Sequence, residues 1–306
     1  MAYRLQPQSS VEANVRRILG EQLDKAHYQL TERFPDEPAE AVHDARKRLK
    51  KARSVLRLMR KAMGKETYKQ EKNTLRDVGR LLAPARDGEA YRETLEALAD
   101  HYASVLEEDA FAVLREALMD LHQGRLRQLI DHDEPMMTVV NTLKESQLRL
   151  KRLQLDQEGW DAIRKGLKKI YRQGRDRMAT AYEDVSDATF HRWRKRVKDL
   201  WYDTRLLQGL WPLVMKAWKS ESHQLSKYLG DDHDIAELRQ FLLSHQEDDP
   251  LRDSHLKLLL PLMQHRQGQL RKQAHGLGQR LYAESPEAFT ERIEAYWHPW
   301  QQSNKR

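Results

Sequence analysis

One basic motif occurs twice in this chain, and its repetition constrains the fold more than any other sequence feature. Residues 43–50 (HDARKRLK) recur, 148 positions later, as residues 191–198 (HRWRKRVK). The His, both Arg and both Lys positions agree between the two copies. A repeat of about half the chain is too long for a solenoid unit. We therefore expect two similar helical bundles, related by internal duplication and facing each other across a pseudo-two-fold axis.

Further matches on both sides of the motif support the duplication. The same offset aligns Arg16 with Arg164 and Arg57 with Arg205. At an offset of 147, residues 82–87 (LAPARD) align with residues 229–234 (LGDDHD). We expect one domain over about 9–300, made of repeat 1 (about 9–131) and repeat 2 (about 136–300).

Helical periodicity is nearly continuous, and no alternating run predicts a strand. The sequence predicts an all-α fold, with about four or more helices in each half. The polar stretch Asp131–Pro135 is predicted to be the boundary or hinge between the halves. The predicted helices are 9–33, 39–63, 66–83, 86–108, 110–130, 136–153, 157–182, 188–209, 213–229, 232–246, 251–283 and 286–297.

Three absences narrow the class of protein. The chain has no cysteine, which excludes disulfides, thiol catalysis and cysteine metal sites. Its N-terminus lacks the apolar core of a signal peptide, and no apolar run approaches the length of a membrane span. We expect a soluble cytoplasmic protein that has no membrane span.

Each motif helix carries two stripes at helical spacing. An apolar stripe in each predicts the buried face. The basic stripe, displaced by one residue, repeats about once per turn, roughly every 5 Å along the axis. The apolar positions are Val42, Ala45, Leu49, Ala52, Leu56, Met59 and Met63 in the first copy, and Phe190, Trp193, Val197, Leu200, Thr204, Leu207 and Trp211 in the second.

The basic stripe lacks the opposite charges that usually accompany it. Residues 43–80 contain 14 Lys and Arg but only 4 Asp and Glu, and residues 164–177 add seven more basic side chains against Asp176 alone. Like charges one turn apart repel, so the pattern costs stability unless an anion offsets it. The pattern predicts a polyanion ligand.

The type of polyanion depends on the neighbouring aromatic residues. Arg and Lys suit phosphate oxygens, and nucleic acid would satisfy them too. Binders of single strands, however, usually offer bases a stacking platform. Trp201 and Tyr202 lie near the second basic stripe, but the first copy has Arg53 and Ser54 in their place. A polyanion without bases fits better than RNA or DNA.

The duplicated motif resembles that of the CHAD family, the conserved histidine α-helical domain. The resemblance rests on residues 43–50 and 191–198, the downstream elements 82–87 and 229–234, and residues 166–172 with Trp201-Tyr202. It implies two four-helix bundles around a basic central cavity that binds inorganic polyphosphate, and possible association with polyphosphate granules. In the first downstream element, Pro84 and Arg86 depart from the usual Gly and acidic run.

We therefore predict a polyphosphate site without a catalytic residue, a cofactor or a metal ligand. It draws on the two basic stripes, on Arg16, Arg17 and the 164–177 segment, and on Tyr202. The predicted polyphosphate-binding residues are Arg16, Arg17, His43, Arg46, Lys47, Lys50, Arg53, Arg57, Arg164, Lys168, Arg172, His191, Arg194, Lys195, Lys198, Tyr202 and Arg205.

Two other functions stay open. His43-Asp44 and His233-Asp234 are His-Asp dipeptides like those of metal-dependent HD-type phosphohydrolases, which need further His and Asp ligands. Arg46 and its neighbours would repel a divalent cation, and Arg192 replaces Asp44 in the second copy. The other alternative is a nucleic-acid-binding or scaffold protein whose basic cleft docks an acidic partner.

Residues 229–234 and the motif histidines also have structural interpretations. Asp231 or Asp232 is expected to cap the following helix, and Asp87 to cap its counterpart. His43 and His191 lie on the basic stripe, which favours a ligand-facing role over a buried structural one.

Overall fold

A computed structural model describes residues 3–106, 111–130, 133–244 and 250–302, but not the side chains of 84–87, 133 and 250–255. Within these ranges the protein is all-α and contains no strand, as the sequence predicts. A π-helix (Gln29–Arg33) follows α1, and a 3₁₀ turn (Met59–Lys61) follows α2. The helices are α1 (Val11–Tyr28), α2 (Pro38–Leu58), α3 (Lys65–Leu81), α4 (Pro84–His101), α5 (Ala112–Ile130), α6 (Asp133–Lys151), α7 (Gly159–Glu183), α8 (Asp187–Leu206), α9 (Pro212–Ser244), α10 (Pro250–Leu281) and α11 (Pro286–Gln302).

Local sequence signals fix the starts of α1 and α8. The Ser10 hydroxyl accepts a hydrogen bond from the Ala13 amide at 3.1 Å, which satisfies one of the amides left free at a helix start. Ser186 and Thr189 form a reciprocal capping box ahead of α8. Both serines directly precede apolar helical runs, where a side-chain cap is the usual helix start.

The region around Gly230 differs from the prediction of two helices. α9 runs unbroken from Pro212 to Ser244, so Asp231 and Asp232 lie inside a helix and the prediction that one of them is an N-cap is wrong. Asp232 is buried, and its carboxylate lies 2.6 Å from Arg271 Nε. The Asp232 carboxylate therefore pairs with a side chain of α10 instead of accepting hydrogen bonds from backbone amides at a helix start.

The downstream element of the first copy begins α4 directly. Pro84 is the first residue of that helix and Ala83 precedes it as the cap, so Asp87 lies within the first turn instead of at the predicted N-cap position. The side chains of residues 84–87, and with them the contacts of Asp87, lie outside the described part of the structure.

Both motif helices bury the predicted apolar stripe in the same core. All seven stripe residues of α2 and its 3₁₀ extension are buried, as are six of the seven in the second copy. The exception is Trp211, which is 48% exposed and packs edge-on against Tyr296. Trp211 lies beyond the end of α8, and α11 gives its ring a surface contact there. α11 itself packs on the core, because Trp297 is buried against Trp160.

α2 and α8 contact each other through polar pairs inside this core. The Arg57 guanidinium pairs with the Asp199 carboxylate, and the Ser54 hydroxyl lies 3.5 Å from the Asp203 carboxylate. On α7, Gly166 lies directly against the Leu58 carbonyl, where a Cβ would be only 1.7 Å from the oxygen. The motif helices are thus held together, with α7 tightly against the end of α2.

A second hydrophobic cluster joins α4 and α5 to α9 and α10. It therefore combines helices from both predicted repeats. α6 begins at Asp133, so the predicted hinge at Asp131–Pro135 leads straight into a helix; Asp131 and His132 lie outside the described residues. The division into two repeats stays a prediction. Among the described helices, none combines the length and apolarity that a bilayer crossing requires.

Candidate functional site

A cavity of about 510 Å³ opens between α2, α4, α8 and α9, and we call it the motif cavity. Both copies of the basic motif contribute side chains to it. Its walls are formed by His43, Arg46, Lys47, Lys50, Ala90, Tyr91, Arg194, Lys198, Trp201, Tyr202, His223, Ser226, Lys227, Gly230, Asp231, His233, Asp234 and Glu237.

The apolar stripes determine why these side chains meet. Burial of Leu49 and Val197 in the core turns the adjacent positions, Lys50 and Lys198, toward one side of the α2–α8 pair. The structure brings seven of the predicted residues to the motif cavity, and these are His43, Arg46, Lys47, Lys50, Arg194, Lys198 and Tyr202.

Both lysines of the motif cavity, Lys50 and Lys198, have pKa values well below the ordinary value for lysine. The pKa of Lys50 is lowered to about 7, mainly by burial and then by the charges of Lys198, Arg46 and Arg194. Burial and Arg194 lower the pKa of Lys198 to about 8. Burial removes hydration from both ammonium groups, and Asp234 offsets only part of the effect of burial and the neighbouring cations. An anion placed between the two lysines would therefore be favourable.

The arginines of the motif cavity are held by the protein more firmly than the lysines. Arg46 donates a 3.4 Å hydrogen bond to the Gly79 carbonyl of α3, and Arg194 lies 3.9 Å from the Asp234 carboxylate of α9. These contacts orient the planar guanidinium groups before a ligand arrives.

Four histidines lie at or beside the motif cavity, because His223 of α9 lines it together with His43 and His233, and His191 lies beside it. His43 lines it, whereas His191 lines an adjoining cavity and contacts His233, with 3.0 Å between their Nδ1 atoms. Burial and neighbouring cations lower the pKa of His191 to about 4 and that of His233 to about 2. Both rings are therefore neutral near pH 7, and one Nδ1 donates while the other accepts. His43 thus lines the motif cavity and His191 contacts it only through His233, and the ligand-facing role of both stays a prediction.

Carboxylates also line the motif cavity, at Asp231, Asp234 and Glu237. Across the described ranges, no group of three or more His, Asp and Glu side chains is arranged to hold a metal ion. Asp44 is not among the lining residues and instead pairs with Lys47 at 3.1 Å on its own helix.

A second basic cavity of about 230 Å³ lies between the end of α2, α3, α7 and α8, and we call it the α7 cavity. Arg57, predicted as part of one continuous site, opens here and not into the motif cavity. Of the other stripe residues, Arg53 and Lys195 line neither cavity, and both have pKa values lowered by burial and by nearby cations that include Arg57. The stripe residues thus do not share one cavity: most line the motif cavity, Arg57 lines the α7 cavity, and others line neither.

Five predicted site residues lie on other surfaces. Arg16 pairs with Glu12 and donates to the Leu153 carbonyl, and Arg17 pairs with Glu21. Neither residue lines the motif cavity, and Arg17 also donates to the Arg4 carbonyl at 2.8 Å, so their part in binding stays a prediction.

The α7 residues Arg164, Lys168 and Arg172 also lie away from the motif cavity. Lys168 and Arg172 both pair with Glu287 of α11, and Arg164 is exposed. α7 packs its apolar face between α8 and α11, so this basic face turns away from the motif helices. Arg205 lies over the rings of Tyr3 and Trp201, 5.6 Å and 5.4 Å from their centres, and stands behind the lining residue Trp201.

Sequence reasoning missed the contributions of α4 and α9, namely Tyr91, His223 and Lys227. The prediction divided α9 at Gly230, which obscured the face shared by Ser226, Gly230 and His233. A continuous helical pattern over 222–238 would have revealed that face.

The eleven described α-helices form an all-helical bundle, and the two motif helices share a basic cavity. The chain belongs to the CHAD domain family, whose model matches residues 17–243. No curated protein sequence matches the chain significantly.

Two solved structures share the fold. The crystal structure of the CHAD domain from the plant Ricinus communis is 18% identical over 97% of this chain and 95% of that chain, with a TM-score of 0.61. PptA from Streptomyces chartreusis is 15% identical over 90% of this chain and 100% of that chain, with a TM-score of 0.60. Similarity at this level of identity supports the fold alone.

Proposed function

We propose that this protein binds inorganic polyphosphate in the motif cavity. The observation that carries the proposal is the position of Lys50 and Lys198, which bring two poorly hydrated ammonium groups into one cavity. Four further cations, Arg46, Lys47, Arg194 and Lys227, line the same cavity against three carboxylates. A ligand with a charge on every unit would offset this repulsion along its length.

The proposed mechanism is electrostatic clamping by two kinds of donor. Arg46 and Arg194, oriented by Gly79 and Asp234, present forked guanidinium groups to phosphate oxygens. Lys50 and Lys198 supply mobile charges that follow the ligand. The hydrogen bonds are charge-assisted, so each contributes more than a neutral pair does.

The aromatic residues of the motif cavity favour a ligand without bases. Trp201 stacks on His223, with ring centres 4.4 Å apart, and also lies under the Arg205 guanidinium. Tyr202 is buried. Because protein groups cover these rings, they offer a base less stacking surface than the platforms typical of single-strand binders. This argument ranks polyphosphate above RNA and DNA.

We further propose that the protein is non-catalytic, acts in the cytoplasm and associates with polyphosphate granules. The support is its membership of the CHAD family and the absence, among the described lining residues, of three metal-ligating side chains grouped together. The HD-type phosphohydrolase is the alternative. Phosphate release from polyphosphate on addition of Mn²⁺ or Mg²⁺ would favour it.

Competition binding tests the choice of ligand. Labelled long-chain polyphosphate on the full-length protein is displaced by unlabelled polyphosphate or by single-stranded RNA of equal total charge, at one fixed salt concentration. We expect polyphosphate to displace the label at much lower concentration. Equal or better displacement by RNA would contradict the proposal.

A further inference from the structure

The α7 cavity is separate from the motif cavity and consists mainly of cations. Six basic side chains line it, three from α2 and its 3₁₀ extension and one each from α3, α7 and α8, and none of the described lining residues is acidic. They are Arg57, Arg60, Lys61, Lys72, Lys169 and Arg196.

One buried carboxylate, that of Asp199, forms ion pairs with two of these cations. Asp199 is buried, pairs with Arg57 and lies 3.0 Å from Arg196. The two guanidinium groups are thereby oriented in advance, which lowers the entropy cost of binding an oxyanion. One carboxylate between two arginines still leaves a net positive charge at the wall of the α7 cavity.

The remaining cations repel one another. Burial and the charges of Arg60, Lys61 and Arg196 lower the pKa of Lys169, and burial and nearby arginines lower that of Lys72. Arg60 and Lys72 both lie over the Tyr68 ring, 5.2 Å and 5.9 Å from its centre. Such a cluster costs folding stability unless an anion occupies it.

A buried donor beside the cluster is also left without a partner. Arg53 Nε is buried and makes no hydrogen bond within the described part of the protein. Arg57 is among the charges that lower the pKa of Arg53, so the two guanidinium groups are neighbours. A buried donor that lacks a partner is unfavourable. Arg53 does not itself line the α7 cavity, but an anion there would offset the repulsion between Arg53 and Arg57.

We propose that the α7 cavity is a second anion site, specific for a compact phosphate-class oxyanion such as pyrophosphate. Its volume, about 230 Å³ against about 510 Å³ for the motif cavity, suits a short ligand better than a long chain. Arg57 and Arg196 bind the oxyanion through forked hydrogen bonds, and Lys61 and Lys169 close over it. The site does not depend on polyphosphate binding in the motif cavity.

Isothermal titration of the full-length protein with pyrophosphate tests this site. Lys61→Gln with Lys169→Gln removes two cations that have no ion pair in the described structure, so the fold is expected to survive; circular dichroism checks it. We expect the affinity of one class of pyrophosphate site to fall about tenfold for each lysine removed. Polyphosphate binding in the motif cavity is expected to persist.

Two further variants separate the possible outcomes. Lys50→Gln with Lys198→Gln affects the motif cavity and is expected to leave the α7 site unchanged. Lys216→Gln with Lys272→Gln, at exposed lysines of α9 and α10 that line neither cavity, controls for the loss of two positive charges. The proposal is overturned if the folded Lys61→Gln, Lys169→Gln protein binds pyrophosphate with the affinity of the native protein. This holds regardless of how tightly either protein binds polyphosphate.

Discussion

Lys50 of α2 and Lys198 of α8 face the same cavity, and after burial the charge of Lys198 is the largest cause that lowers the pKa of Lys50, to about 7. The two residues occupy equivalent positions in the two copies of the basic motif. The duplicated motif therefore brings like charges together in space, an arrangement that an anionic ligand would stabilise.

Polyphosphate binding should be coupled to proton uptake. Near pH 8 a fraction of Lys50 and Lys198 is neutral, because their pKa values lie at about 7 and about 8. A bound polyanion favours the charged forms and raises both pKa values. Titration calorimetry in two buffers of different ionisation enthalpy should reveal the uptake at about pH 8, with less uptake at about pH 6. Lys50→Gln with Lys198→Gln should reduce it, and equal uptake by the variant would contradict this assignment.

The same two lysines should reduce the stability of the ligand-free protein. Their pKa values are lower in the folded than in the unfolded chain, so the unfolded state binds more protons between about pH 7 and pH 10. Stability from these groups therefore rises with pH through that window. The Lys50→Gln, Lys198→Gln protein should unfold at higher urea concentration than the native protein at about pH 6. That advantage should shrink toward pH 10, and a difference independent of pH would contradict the explanation.

Asp199 should be needed to hold the motif helices together. Its carboxylate pairs with Arg57 of α2 and Arg196 of α8, and Asn would leave two partly buried guanidinium groups without a counter-charge. Removing one partner of a buried pair costs about 3–5 kcal/mol. Urea denaturation of Asp199→Asn measures the loss. Asp161→Asn, an exposed position on α7, is the control, and a loss for Asp199→Asn as small as that of the control would contradict the role.

Gly166 should be essential for the approach of α7 to α2. A Cβ at this position would lie 1.7 Å from the Leu58 carbonyl oxygen, so α7 would have to move. We expect Gly166→Ala to destabilise the fold by about 3 kcal/mol or more, as severe overpacking does. Gly20→Ala, where a Cβ meets nothing within 4 Å, should be neutral or slightly stabilising. Thermal unfolding of both variants checks the difference, and similar melting temperatures would be inconsistent with the packing described.

The sequence allowed prediction of those features that depend on helical spacing alone. The apolar stripes of α2 and α8 fix which residues are buried, and a stripe one residue away must then lie beside the core. For that reason Lys50, Arg46, Arg194 and Lys198 could be placed in one cavity before the fold was known.

Features that depend on packing between distant helices could not be predicted. Asp232 appeared to be a helix cap because its partner, Arg271, lies 39 residues away. Arg164 and Arg172 were expected at the site, but Arg172 pairs with Glu287 of α11 and Arg164 is exposed, which the spacing within α7 does not determine. The division of the stripe at Arg57 results from the positions of α3 and α7, which helical spacing within α2 does not determine.

The central claim is that polyphosphate binds through cations of the motif cavity and not through basic surface charge in general. Binding of labelled long-chain polyphosphate to Arg46→Ala with Arg194→Ala tests it, with Arg164→Ala and Arg172→Ala as the control, since both double variants lose two positive charges. We predict that affinity falls about 100-fold or more for the motif-cavity variant, from the loss of two charge-assisted contacts, and little for the control. Equal affinities of the two folded variants would contradict the account.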